Sequence, residues 1–157
     1  MKWVMPTLLL LLLVAPVAMA DDVAKYMELL RSDLRNSKTE LLTEALEMND
    51  AESQKFWPIQ REYETELSKL GDQRVQLIKD YAASYDSLTK DMSKKLMDRA
   101  FKLESSRLSL LKKYADKVSK SVSPAIAARF AQVEAIVNSL IDLQIRAETP
   151  LVPKPKS

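Results

Sequence analysis

The chain has 157 residues, a formal charge of +2, one glycine, no cysteine and no histidine. That length suits one domain. Near-absence of glycine removes the backbone freedom that tight hairpins and phosphate-cradling loops need, which leaves an all-α chain with no β-sheet. The two missing residue types exclude thiol and histidine chemistry, disulfides and nearly every zinc, copper or haem site.

Residues 1–20 read as a cleaved secretory signal peptide. Lys2 gives a positive start, Leu8 to Val14 is an unbroken apolar run, and Val17-Ala18-Met19-Ala20 ends in small residues. Apolar character lasts from Leu8 to Ala20, short of the roughly 20 residues of a spanning helix. Cleavage before Asp21 predicts an exported protein, periplasmic or secreted, stabilised by packing rather than by cross-links. The expected organisation is a single helical domain over 21–149 and a disordered Pro/Lys-rich tail over 150–157.

Stop signals predict about four helices. Apolar residues at Val23, Met27, Leu30, Leu34, Leu41, Ala45 and Met48, with Ser37 in the polar slot, form the stripe of the first. Asn49 then caps a second helix, with Glu52 completing a capping box. Its stripe is Phe56, Ile59, Tyr63, Leu67, Leu70, Leu77, Tyr81, Tyr85 and Leu88, and Pro58 inside it predicts a kink. Thr89 caps a third helix running to about Lys120. Ser123 at the cap and Pro124 at the first helical position start a fourth, whose stripe is Ile126, Phe130, Val133, Val137, Leu140 and Gln144. Pro150, Pro153 and Pro155 then prohibit helix. Short connections favour antiparallel neighbours, hence an elongated bundle or helical hairpin.

Charge is uneven along the chain. Residues 90–120 carry ten basic and four acidic side chains, whereas 21–48 and 49–86 are each acidic by three. At helical spacing Lys95, Arg99, Lys102, Lys113, Lys117 and Lys120 share one stripe beside the seam of Leu96, Leu103, Leu110 and Tyr114. The other flank holds Met97, Phe101, Leu108 and Leu111, so the apolar arc approaches half the circumference. An ordinary surface helix needs only about 100°. Two readings of the stripe stand side by side: pairing with the acidic first two helices, or a cationic and apolar face offered to a partner.

No catalytic constellation emerges, and the chain is expected not to be an enzyme. The carboxylate pairs Glu62/Glu66 and Glu40/Glu44 read as solvated helix faces, since di-metal bundles add a Glu-x-x-His step. The serines have no histidine base. No cofactor, metal or nucleic acid is expected. Tyr63, Tyr81 and Tyr85 lie on the seam, and Trp57 beside Phe56 and Pro58 reads as closing one end of a core.

The three helix restarts are Met48-Asn49-Asp50-Ala51-Glu52, Leu88-Thr89-Lys90-Asp91-Met92 and Val122-Ser123-Pro124-Ala125-Ile126. In these, and in its signal peptide, size, helical content and missing cysteine, the chain resembles the Spy/CpxP-type periplasmic stress proteins, whose helices begin with Leu-Thr-x-x-Gln. Leu88-Thr89 matches by identity and the other two restarts match by type. The resemblance implies an ATP-independent periplasmic chaperone or envelope-stress modulator acting as a homodimer. Metal sensing in that family uses histidines that this chain lacks.

Two functions follow as expectations. One is an exported, non-enzymatic protein that holds partly unfolded clients on an apolar face ringed by lysine and arginine, with Lys95, Arg99, Lys102, Lys113, Lys117, Lys120, Met97, Phe101 and Leu108 in contact. The other is a structural or adaptor protein that self-assembles or binds an envelope protein.

Overall fold

The structure is a computed structural model and describes residues 37–153. The expected signal peptide, the first half of the first stripe and the last four residues lie outside the described residues. Among the described residues there are four helices and no strand: α1 (its described part 37–46), α2 (Asp50–Ser84), α3 (Lys90–Ser121) and α4 (Pro124–Glu148), with a short 3-10 turn at Tyr85–Ser87. The fold is all-α, with sequence neighbours packed antiparallel.

Each start is fixed by a local side chain. Asn49 accepts from the Glu52 N–H at 3.0 Å while the Glu52 carboxylate accepts from the Asn49 N–H at 3.0 Å, a complete capping box. Thr89 accepts from Met92 N–H and Ser123 from Ile126 N–H, each at 3.2 Å, with Pro124 in the first turn of α4. α2 runs through Pro58 and Gly71 without a break for 35 residues, about 52 Å at 1.5 Å per residue. α1 ends where Glu47 turns into the left-handed region at φ 47°.

Cross-links set the directions. Phe56 meets Phe130, Arg74 meets Asp142 and Tyr81 meets Pro150, so α2 and α4 run parallel. α3 packs along both in the opposite sense, as Lys117–Glu62, Lys113–Glu66 and Arg99–Asp80 require. α1 is also opposite to them: Lys38 reaches Glu64 and Glu134, while Arg129 reaches the Ala45 carbonyl and Glu47.

The core is concentrated at one end. Leu42, Leu46, Phe56, Tyr63, Val118 and Phe130 are fully buried there, around edge-to-face contacts of Phe56, Tyr63 and Tyr114 with their neighbours. Trp57 packs against this cluster at 5.2 Å from Phe56, closing its end. On α3 no residue before Leu110 is buried, and on α2 none beyond Tyr63 except Ser84.

Two stripes differ from the expectation. On α1 the buried row is Lys38, Leu42 and Leu46, with Ala45 beside it, while Leu41 is exposed. On α4 the row passes Val133 and Val137 to Ile141 and Ile145, leaving Leu140 and Gln144 outside. A strict seven-residue count drifts by about 20° per heptad against a straight helix, so over the two heptads from Ile126 to Leu140 it turns Leu140 by about 40° away from the buried row of α4.

Candidate functional site

The basic stripe of α3 lies mainly on the side turned toward α2. Lys113 contacts both Glu66 oxygens at 2.9 and 3.0 Å, Lys117 pairs with Glu62, and Arg99 donates to Asp80 at 2.6 Å. Glu66 also accepts from the Tyr114 hydroxyl at 2.9 Å. Hydrogen bonds from Lys113 and Tyr114 hold the Glu66 carboxyl below its ordinary range. Burial and that same carboxylate push the Tyr114 phenol up to about 12. Lys95 pairs within its own helix with Asp91. Lys102 and Lys120 form no ion pair with a described residue within 4.0 Å. Half of the six cations thus serve the α2–α3 contact.

The expectation of an apolar face ringed by these cations is corrected by helix geometry. Counting about 100° per residue, the stripe is turned about 120–180° away from Met97, Phe101 and Leu108, on the far side of α3. Those three side chains are each more than half exposed, Leu108 by 70%. Leu111, which flanks them, turns inward against the core. Of the large apolar arc, one part therefore packs within the fold and one part faces solvent.

That outward part continues on α4. Ile136, Leu140 and Leu143 are also more than half exposed. Between the two helices lies an open groove of about 560 Å³, lined by Phe101, Leu108 and Leu111 on one side and Ala135, Asn138 and Ser139 on the other, with Glu104 and Arg107 at its rim. The solvent side of α4 from Gln132 to Gln144 is made of Gln132, Ala135, Ile136, Ser139, Leu140, Leu143 and Gln144, without one charge. Sequence reasoning placed Leu140 in the core and passed over Ile136 and Leu143. The available signal was a second apolar row on a helix with few charges.

Two polar clusters hold the helices in register beneath this face. Glu134, fully buried, accepts from the Tyr63 hydroxyl at 3.0 Å, and the Lys38 ammonium lies 2.7 Å from its other oxygen. The geometry of that second contact is ionic, without an aligned hydrogen bond to Oε1. Lys38 also donates to Glu64 at 2.6 Å, and Gln60 donates to the same Glu64 oxygen at 3.1 Å. Burial raises the Glu134 carboxyl above its ordinary range, against the opposing pull of Lys38. Farther along, Asp142 accepts from Arg107 at 3.1 and 2.7 Å and from Arg74 at 2.6 Å, joining α2, α3 and α4. Although burial disfavours its charge, the two guanidiniums hold the Asp142 carboxyl below its ordinary range.

The seam tyrosines divide by position. Tyr63 belongs to the core, whereas the Tyr81 and Tyr85 hydroxyls donate to the carbonyls of Pro150 at 2.9 Å and Leu151 at 3.1 Å. The first residues of the expected disordered tail thus carry main-chain contacts to α2. Among the described residues no group of three or more acidic side chains is arranged to hold a metal ion, and no helix is long and apolar enough to cross a membrane.

Comparisons with family models, with curated proteins and with solved structures return no match.

Proposed function

We propose that the protein is a non-enzymatic helical binding protein, exported to the periplasm or secreted, that holds partly unfolded clients on the α3–α4 face. One observation carries this reading: Met97, Phe101 and Leu108 on α3 and Ile136, Leu140 and Leu143 on α4 are each more than half exposed, and Phe101 and Leu108 line an open groove between the two helices. Isolated exposed apolar residues are ordinary, but six on two neighbouring helices, two of them lining a groove, suit an interaction surface. An open groove buries an incoming apolar segment only in part, which suits weak capture and release without nucleotide. The amino-terminal signal pattern and the resemblance of the helix restarts to the Spy/CpxP-type proteins support the same reading. Arg99, Lys113 and Lys117 brace the fold, and Lys102 and Lys120 lie on the far side of α3 from this face.

The test is suppression of light scattering from an aggregating client, comparing the unaltered chain with Phe101→Ser/Leu108→Ser and Ile136→Ser/Leu143→Ser. Both pairs are solvent-facing, so melting temperatures should hold while suppression falls. Unchanged suppression in both would remove the face from the functional account.

A second reading rests on the charge-free outer side of α4. Such a surface meets a copy of itself without like-charge repulsion, which suits a homodimer or an adaptor docked on an envelope protein. Concentration-dependent mass by light scattering, abolished by Ile136→Ser/Leu143→Ser, would favour it.

A further inference from the structure

Tyr81 in the last turn of α2 and Tyr85 at the start of the 3-10 turn that follows have ring centroids 5.6 Å apart and planes at 88°. Their hydroxyls donate to two consecutive carbonyls of the chain after α4, those of Pro150 and Leu151. That chain reads Pro150-Leu151-Val152-Pro153, and Pro155 follows beyond the described residues. Proline fixes its own φ and drives the preceding residue to an extended backbone, and Thr149, at φ −97° and ψ 115°, has that conformation. An extended proline-rich backbone makes no internal hydrogen bonds, so its carbonyls are free to accept, and prolines spaced by three fall on one edge of such a helix.

We infer that Tyr81 and Tyr85 form a docking platform for an extended, proline-rich segment of a partner protein, and that Pro150 and Leu151 occupy this platform in cis. The seated residues show the chemistry of the ligand. Leu151 and Val152 turn their side chains outward, 88% and 58% exposed, so the tyrosines grip main-chain carbonyls rather than side chains. A grip of that kind admits any segment with the same backbone, which is how aromatic-lined sites recognise proline-rich peptides. Exchange of tails between two copies is disfavoured by connectivity. Only Thr149 separates α4 from Pro150, which leaves no slack to reach a neighbour's α2. The site is independent of the α3–α4 face, on different residues and with a different ligand.

The experiment uses a fluorescein-labelled peptide with the sequence of residues 149–157 and reads its anisotropy. The full chain carrying Pro150→Gly and Pro153→Gly, which loosens the seated tail, is expected to bind it saturably. Binding to the unaltered chain should be at least about tenfold weaker, because a short tether gives the tail an effective concentration on the order of 1 mM. Adding Tyr81→Phe and Tyr85→Phe keeps both rings and should weaken capture by about tenfold, the worth of about 1.4 kcal/mol of lost hydrogen bonding. A peptide with alanine for each proline should bind more weakly by a similar factor. In the unaltered chain, excess peptide should move the Leu151 and Val152 methyl resonances toward their positions in the Tyr→Phe variant. No saturable binding below about 1 mM overturns the proposal. So does capture that ignores the two hydroxyls or the prolines, since charge alone would then explain it. A dimer of the unaltered chain that the peptide dissolves would assign the platform to a second copy and overturn the partner reading.

Discussion

Tyr63 on α2 and Glu134 on α4 meet by a 3.0 Å hydrogen bond at full burial, on two parallel helices whose other links are also made by long side chains. Burying a carboxylate costs free energy that its partners must offset. Here the offset comes from two groups, the Tyr63 hydroxyl on α2 and the Lys38 ammonium on α1, while Glu64, which shares that ammonium, adds a like charge. The cluster fixes the register of α1 against α2 and α4 at the level of the aromatic core.

The pH dependence of stability follows from two opposite shifts. The Glu134 carboxyl is raised above 4.5, so the folded state binds the extra proton and stability falls as pH climbs from 4.5 through the raised value. The Asp142 carboxyl is lowered below 3.8, so its contribution is present above 3.8 and is lost as pH falls through the folded value. Urea midpoints measured from about pH 3 to pH 7 should therefore rise and then decline. Glu134→Gln should remove the decline and keep the acid-side loss, at a cost of about 1 kcal/mol near neutrality. Glu134→Ala, which strands the tyrosine and half of the lysine's pairing, should cost about 3 kcal/mol. A decline that survives in Glu134→Gln would mean another group causes it.

Phe130 touches both Phe56 and Tyr63 edge-to-face, at 5.6 and 5.4 Å, with none of its surface exposed. Phe130→Ala should cost about 3–5 kcal/mol, because a rigid aromatic cluster cannot collapse into the space left behind. Phe101→Ala, on the exposed side of α3, should change the denaturation midpoint little. Equal losses for the two would contradict the placement of the core.

The end of α1 gives a paired prediction. Glu47 adopts a left-handed conformation that only glycine takes freely, while Arg129 bonds both the Ala45 carbonyl at 3.3 Å and the Glu47 carboxylate at 2.7 Å. Glu47→Gly should relieve about 1 kcal/mol of backbone strain and lose an exposed ion pair worth about 0–1 kcal/mol, for a small net gain. Arg129→Ala should cost about 1 kcal/mol through the uncapped helix end. Thermal melts of the two single variants and the double variant separate the contributions.

Features built from a few neighbouring residues were legible in the sequence: the Asn49, Thr89 and Ser123 caps, the break before Pro124, and the chain exit at Pro150. What depended on tertiary contact was less so. The shift from Leu140 to Ile141 follows from helix drift, and that from Leu41 to Leu42 from contacts with α2 and α4 that no local pattern records. The burial of Lys38 and Glu134 carries no local signal, because charged side chains are seldom buried and only their mutual proximity makes burial tolerable. The basic stripe was visible, but which way α3 turns it was not. Three of its cations face Glu62, Glu66 and Asp80, residues that are remote in sequence.

Charge reversal separates the two halves of that stripe. Lys113→Glu with Lys117→Glu would set like charges against Glu66 and Glu62 and should lower the melting temperature by several degrees. Lys95→Glu with Lys102→Glu touches no contact to α2 and should change it far less. About 1 M salt, which shortens the screening length to about 3 Å, should narrow the difference. Equal destabilisation by both pairs would mean that bracing is not localised at Lys113 and Lys117.

The uneven core predicts uneven stability along the bundle. Leu42–Leu46, Phe56–Tyr63, Leu110–Val118 and Ile126–Val137 contain the fully buried residues, whereas the other end is joined by Arg99–Asp80, by Asp142 with its two arginines, and by the tyrosine contacts to the chain exit. Exposed ion pairs contribute about 0–1 kcal/mol each, against about 1.5–3 kcal/mol for a buried apolar side chain. Amides from Val75 to Ser84 and from Lys90 to Leu103 should therefore exchange through local opening, at free energies below that of global unfolding. Those around Tyr63, Tyr114 and Phe130 should exchange only with the whole fold. The distinction bears on function, because Met97, Phe101, Leu140 and Leu143 sit at or beside the less buried end. Opening there would enlarge the apolar face without dissolving the core. Hydrogen exchange at increasing sub-denaturing urea resolves the two classes by their slopes. A single slope for both ends would show one cooperative unit, and the proposed capture of clients would then have to use a rigid surface.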